Sequence, residues 1–173
     1  MKILQTLQDW GFTSETWRGS KGEYWFFGQV ILIIGLTIVP VYRPDWLRID
    51  SPIAMYLIWA IASVLAVGAL MLIGKGLLDL GQNLTPLPYP KEDGQLVQTG
   101  IYGVVRHPLY SGLILAAASY SIWQLSVSHL ALGAVLFTFL DAKASREEAW
   151  LSQKHLEYAD YRQKVKKLIP WIY

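Results

Sequence analysis

Residues 106–151 read RHPLYSGLILAAASYSIWQLSVSHLALGAVLFTFLDAKASREEAWL, and the organisation of the chain follows from this stretch. It opens on Arg106-His107-Pro108-Leu109-Tyr110-Ser111-Gly112 and closes on Arg146-Glu147-Glu148-Ala149-Trp150-Leu151. Between them the chain is almost uncharged and carries a turn signal at Ser126-Val127-Ser128. Val127 lies 20 residues from both His107 and Glu147. Two antiparallel helices of that length each rise about 30 Å, roughly the thickness of a bilayer core. The cation, the imidazole and the twin carboxylates are therefore expected at one depth, at one face of a membrane. Polar groups gathered at the mouth of an apolar hairpin mark a site.

The rest of the chain agrees with that medium. Of 173 residues, 53% are hydrophobic and 16% charged, too apolar for an ordinary soluble domain of this size. Besides 109–127 and 129–140, apolar runs cover 25–42, where Gln29 is the only strongly polar side chain, and 52–73, which has no charge. The expected fold class is an all-α integral membrane helical bundle of about four transmembrane helices. The fourth run is too short to span alone. It is expected to extend through Ala142-Lys143-Ala144, with Lys143 snorkelling to the interface, and on into the Glu147-Glu148 segment. A re-entrant hairpin is the competing reading of the last two runs. Tyr24, Trp25, Tyr42, Trp46 and Tyr110 flank the runs, as headgroup-level aromatics do. The first 17 residues lack a continuous apolar core and read as no signal peptide. Ile3, Leu4, Leu7, Trp10 and Phe12 suggest either an interfacial helix or a frayed start.

Charge sets the expected topology. With both termini on one side, Lys2, Arg18, Lys21, Lys75, Lys91, Arg106, Lys143, Arg146, Lys154, Arg162, Lys164, Lys166 and Lys167 share that side, leaving only Arg43 and Arg48 opposite. Such a bias assigns the termini and the polar motifs to the cytosol. The segment from Gly74 to Gly100 reads as a loop, and Pro86, Pro88 and Pro90 forbid helix within it. It serves as a connector or as a lid over a cavity. The tail from Ser145 to Leu168 reads as one amphipathic cytosolic helix, with Leu151, Tyr158, Tyr161, Val165 and Leu168 on its apolar face and Pro170 ending it.

Several chemistries are excluded. The absence of cysteine removes disulfides, thiolate metal sites and cysteine nucleophiles. His107, His129 and His155 have no metal-ligand spacing, so no metal site is expected. Gly74-Lys75-Gly76 is not a phosphate loop, no G-x-G-x-x-G occurs, and no patch of stacking aromatics suggests nucleic-acid binding. What remains is the motif itself. Pro108 suits the first turn of a helix, which puts Arg106 and His107 at an N-terminus whose N–H groups and dipole favour an anion. Arg106 offers a planar fork to a carboxylate or phosphate, or else clasps a glutamate of the returning helix.

At these residues the chain resembles the integral-membrane isoprenylcysteine carboxyl methyltransferase family and its phospholipid N-methyltransferase relatives. The family's Arg-His-Pro-x-Tyr-x-Gly followed by Glu-Glu-x-x-Leu appears at 106–112 and 147–151, with every fixed position present. Gly100-Ile101-Tyr102 and Glu157-Tyr158-Ala159-Asp160-Tyr161 also resemble family segments, so the similarity covers about residues 81–173. The resemblance implies one membrane-embedded domain over 1–173, with N-terminal spans in 1–80 and a cofactor-binding half in 81–173. It also implies S-adenosylmethionine as methyl donor and a lipophilic or lipidated acceptor reaching the site from membrane lipid. Tyr102, His107, Pro108, Tyr110, Glu147 and Glu148 would line the donor pocket. Arg106 and Glu148 would carry the catalytic roles, and Gly112 would shape the channel to the acceptor. A homodimer could complete the acceptor groove. Two other classes fit less well: an NADPH-dependent membrane reductase of the sterol-reductase type, which needs more basic groups around its phosphates, and a non-catalytic membrane scaffold, which would bind no cofactor.

Overall fold

The computed structural model of the chain describes residues 21–91 and 93–173. The N-terminal segment with Ile3, Leu4, Leu7, Trp10 and Phe12 lies outside the described residues. Five α-helices follow in order: α1 (Glu23–Ile38), α2 (Pro52–Leu80), α3 (Pro108–Gln124), α4 (Val127–Lys154) and α5 (Tyr158–Lys164). Among the described residues the only β pairing is an isolated parallel bridge between Val105 and Lys166.

Local chemistry sets the helix ends. Val39 turns extended ahead of Pro40, whose ring stops α1 two residues after Ile38. Ser51 caps α2 by accepting from the Ala54 N–H, and Pro52 fills its first position. The α3–α4 turn is tight. Leu125 adopts the left-handed conformation at φ 49°, and Ser126 caps α4 by accepting from the His129 N–H. His129 Nδ1 lies 2.7 Å from the Ser126 hydroxyl, and the imidazole is buried against Tyr120. His129 is thus a structural residue of the turn.

The long helices pack as a row, α2 on α3, α3 on α4 and α4 on α1. Gly112 makes the closest approach possible, since a Cβ there would stand 2.5 Å from Ile73 and 3.0 Å from the Ala69 carbonyl. The glycine expected to shape a channel is therefore a helix-packing glycine facing α2. Leu36, Ala117, Leu136 and Leu140 form the core between α1, α3 and α4. Outside this core the surface is apolar: Ile31, Ile34 and Ile38 on α1 and Leu57, Val64, Leu70 and Leu78 on α2 are exposed. Apolar helices that leave such side chains uncovered have hydrocarbon as their solvent. The fold is the expected all-helical membrane bundle. Among the described residues two helices, α2 and α4, are long and apolar enough to cross a bilayer unaided. The shorter α1 and α3, of 16 and 17 residues, are tied at the far end. There Tyr42 O accepts from Val127 N at 2.9 Å and Arg43 donates to Gln124 O at 2.6 Å.

Three expectations need correction. The loop expected from Gly74 begins only at Gly81, because Gly76 is buried where a Cβ would meet Leu109 at 2.9 Å and Pro108 at 3.3 Å. Helix α2 continues there because the missing side chain lets α3 pack against it. The tail is not one helix. Helix α4 ends at Lys154, His155 turns extended, and after α5 the chain straightens, so that Lys166 O and Lys167 O accept from Arg106 N at 2.8 Å and His107 N at 3.1 Å. That pairing satisfies donors ahead of α3 that a continuous helix would have left open. Lys143 does not snorkel. It is buried, donating to Gln29 Oε1 at 2.7 Å and Pro86 O at 3.3 Å, with its ammonium 5.1 Å from the centre of the Tyr110 ring.

Candidate active site

The start of α3 and the last turns of α4 meet as the hairpin arithmetic requires. Arg106 donates through Nε to Glu148 Oε1 at 2.9 Å and approaches the same oxygen with Nη2 at 2.8 Å, while Nη1 reaches the carbonyls of Arg162 and Val165. His107 Nε2 stands 3.0 Å from Glu148 Oε1. Glu148, whose side chain is 5% exposed, is thus taken up by protein donors, and an acceptor of this kind is a charge-assisted clasp. Glu147 differs. Its side chain is 27% exposed, it accepts from the Tyr110 hydroxyl at 2.8 Å, and His107 Nδ1 is 3.8 Å away. The His107 and Tyr110 rings stack in parallel with centroids 5.4 Å apart, which fixes the imidazole between the two acids.

Two cavities meet at this corner. One, of about 210 Å³, lies between α1 and α2 over α3 and α4, and is lined by Phe26, Gln29, Leu109, Tyr110, Leu113 and Lys143. The other, of about 90 Å³, lies under the 83–97 segment and is lined by Leu96, Val97, Leu151, Tyr158 and Tyr161 among others. Leu80, Thr85, Tyr102, Arg106, His107 and Glu147 line both. Pro108 borders the first alone, and Glu148 faces neither, lying behind the corner. The described residues of the proline-punctuated segment from Leu84 to Gln98 are helix-free, and several of them line one cavity or the other, as a lid would.

The tail supplies the roof. The Tyr161 hydroxyl donates to Tyr102 O at 2.6 Å, and the Tyr102 hydroxyl to Gly76 O at 3.4 Å. The Tyr158 hydroxyl is buried with no partner among the described residues. Burial pushes the tyrosine hydroxyls of 102, 158 and 161 above the ordinary tyrosine range, with Glu147 adding at Tyr102 and Glu148 at Tyr158. All three remain donors at neutral pH. No cluster of metal-ligating side chains occurs among the described residues.

Sequence reasoning expected Tyr102, Arg106, His107, Pro108, Tyr110, Glu147 and Glu148 at one place, and the structure brings them to one corner, although Glu148, expected to line the donor pocket, lies behind it with its carboxylate spent on Arg106 and His107. That reasoning missed the Lys143–Gln29 pair in the larger cavity. The signal was present: a lone amide in the first apolar run and a lone cation at the end of the fourth.

Comparison with known proteins agrees with this architecture. Residues 57–157 match the family model for phospholipid methyltransferases. Protein-S-isoprenylcysteine O-methyltransferase B of Arabidopsis thaliana is 29% identical over 84 residues, covering 47% of this chain and 43% of that protein. The protein-S-isoprenylcysteine O-methyltransferase of Schizosaccharomyces pombe is 34% identical over 100 residues, 56% of this chain and 42% of that protein. The chain thus aligns with less than half the length of these curated relatives. The structure of the eukaryotic intramembrane Ras methyltransferase, isoprenylcysteine carboxyl methyltransferase, shares the fold with a TM-score of 0.62. It is 23% identical, over 86% of this chain and 52% of that one. With its family match covering more than half of its length and its bipartite motif closed around one corner, the chain belongs to the phospholipid methyltransferase family.

Proposed function

We propose that the chain transfers a methyl group from S-adenosylmethionine to a lipophilic acceptor, an isoprenylcysteine-like carboxylate or a lipid headgroup. The carrying observation is the pair of cavities that share His107 and Glu147, one roofed by aromatic side chains and one reaching between α1 and α2. The smaller cavity fits the donor's chemistry. It offers an anionic Glu147 to an ammonium or sulfonium, aromatic faces at Tyr102, and an orphaned Tyr158 hydroxyl that a nucleoside oxygen or nitrogen would satisfy.

The bound donor supplies an electrophilic methyl on a sulfonium. His107, Glu147 and Tyr158 bind and orient the donor, while Tyr102 and the 83–97 lid keep water out. Arg106 and Glu148 act as positioning residues: their clasp holds the His107 imidazole and the tail in register. On the other side, Lys143 and Gln29 hold the acceptor's polar head, and a carboxylate there needs no base because it is ionised at neutral pH. Pro108 and Tyr110 line the acceptor's side of the corner, and the acceptor's apolar part extends between α1 and α2. With the heavily basic end of the bundle cytosolic, both termini and the site face the compartment that holds the donor.

Calorimetry of the detergent-solubilised protein against S-adenosylhomocysteine and against NADPH tests this. Binding of the first alone is the expected result, and it weakens on Glu147→Gln. Binding of NADPH alone would replace the methyltransferase with a reductase, and binding of neither would leave a scaffold.

A further inference from the structure

A third cavity, of about 520 Å³, lies on the face of α4 turned away from the donor and acceptor cavities, closed by the tail. Four cations line it, Arg106, Arg162, Lys166 and Lys167, against two acids, Asp141 and Glu148. Both acids are already engaged. Glu148 holds Arg106 and His107, and Asp141 accepts from Lys167 at 2.5 Å and from the Tyr173 hydroxyl at 3.1 Å. The Arg162 guanidinium is largely exposed and only 3.7 Å from Glu148 Oε2, and the Lys166 ammonium has no partner among the described residues. The cavity therefore carries an uncompensated positive field suited in charge to a phosphoryl anion, with room for the group that bears it.

Its surroundings identify the source of that anion. Beside the cavity Trp171 and Ile172 are 83% and 76% exposed, an aromatic and an aliphatic side chain placed where a headgroup layer would take them. Along α4, one to three turns below Asp141, Ala131, Ala134, Val135 and Thr138 are exposed and present a smooth, small-residue strip toward the bilayer core. A basic cup above an apolar strip on the same helix face has the layout of one phospholipid, headgroup uppermost. We infer that this cavity binds the phosphate of an anionic phospholipid, with Arg162 and Lys166 as its principal contacts. Since Arg106 lines it as well, the lipid buttresses the clasp from behind. The inference does not depend on which donor the other cavities hold.

Native mass spectrometry of the protein released from phosphatidylcholine nanodiscs with and without phosphatidylglycerol tests it. The parent is expected to retain phosphatidylglycerol over phosphatidylcholine by about tenfold, and the double variant Arg162→Gln, Lys166→Gln to lose most of that preference. Lys166→Gln alone should fall between them; its backbone carbonyl, which pairs with Arg106 N, is untouched. A thermal midpoint in neutral detergent equal to the parent's would show that the loss is not unfolding. Retention of the preference in the double variant, or none in the parent, overturns the assignment. Displacement of the lipid by inorganic phosphate at equal concentration would also overturn it, in favour of a soluble phosphate ligand.

Discussion

Replacing Glu148 with alanine separates the two neighbouring acids more sharply than any other single change. Glu148 is the common acceptor of two Arg106 nitrogens and of His107 Nε2, and the Arg106 side chain is 7% exposed. Removing the carboxylate leaves a buried guanidinium with only two carbonyl partners, the situation in which breaking a buried pair costs about 3–5 kcal/mol. For a chain of this length each kcal/mol corresponds to about 2–4 °C, so the thermal midpoint should fall by about 10 °C. Glu147→Ala loses one hydrogen bond from Tyr110 at a partly exposed carboxylate, about 1 kcal/mol, and should move the midpoint by less than about 4 °C. The order reverses for donor binding: Glu147→Ala should abolish the heat with S-adenosylhomocysteine, and Glu148→Ala should weaken it only through misplacement of His107. Tryptophan fluorescence of detergent-solubilised protein during heating, followed by calorimetry, reads both axes. A Glu148→Ala variant as stable as the parent would refute the clasp, and a Glu147→Ala variant that binds normally would refute the division of labour.

Lys143→Met should raise the acceptor KM at least about tenfold with donor affinity unchanged, and should leave stability the same or higher because a buried charge has gone; steady-state kinetics and melting check it. Tyr158→Phe should cost nothing in the ligand-free protein, since the lost hydroxyl has no partner, yet weaken donor binding, whereas Tyr161→Phe should destabilise by about 1 kcal/mol through loss of its bond to Tyr102 O. Gly112→Val should force α2 and α3 apart at Ile73 and cost about 1–3 kcal/mol or prevent folding, read as loss of monodisperse protein on size exclusion. The tyrosines at 102, 158 and 161 hold their protons to higher pH in the folded chain than in the unfolded one. Stability is therefore full below about pH 10 and declines as pH rises beyond it, which alkaline melting curves would show as a falling midpoint.

The bundle and its corner were legible because they rest on counting. Twenty residues on either side of Val127 fix the depth of His107 and Glu147 once helix rise is known, and Pro108 and Ser126 fix where the helices begin. What was not legible depends on tertiary packing. Nothing local marks Gly76 as helical, since its value lies in the contact with Pro108 and Leu109. The helical spacing of Tyr158, Tyr161 and Leu168 correctly marked three buried side chains, yet periodicity is blind to a break such as the one at His155 that re-aims the segment. Lys143 reads as a snorkelling lysine because its companions, Gln29 and Pro86, lie 114 and 57 residues away.

The row order α2–α3–α4–α1 leaves the two outer helices as the jambs of a doorway rather than as neighbours. Among the described residues no helix closes that doorway from behind, and such an opening measures width and not length. Whatever its occupant trails into the lipid goes unweighed, so selection among occupants falls wholly on the few atoms that reach Lys143 and Tyr110. Compounds with the same head but short, long or branched tails should therefore compete on nearly equal terms, apart from how strongly each partitions into the bilayer.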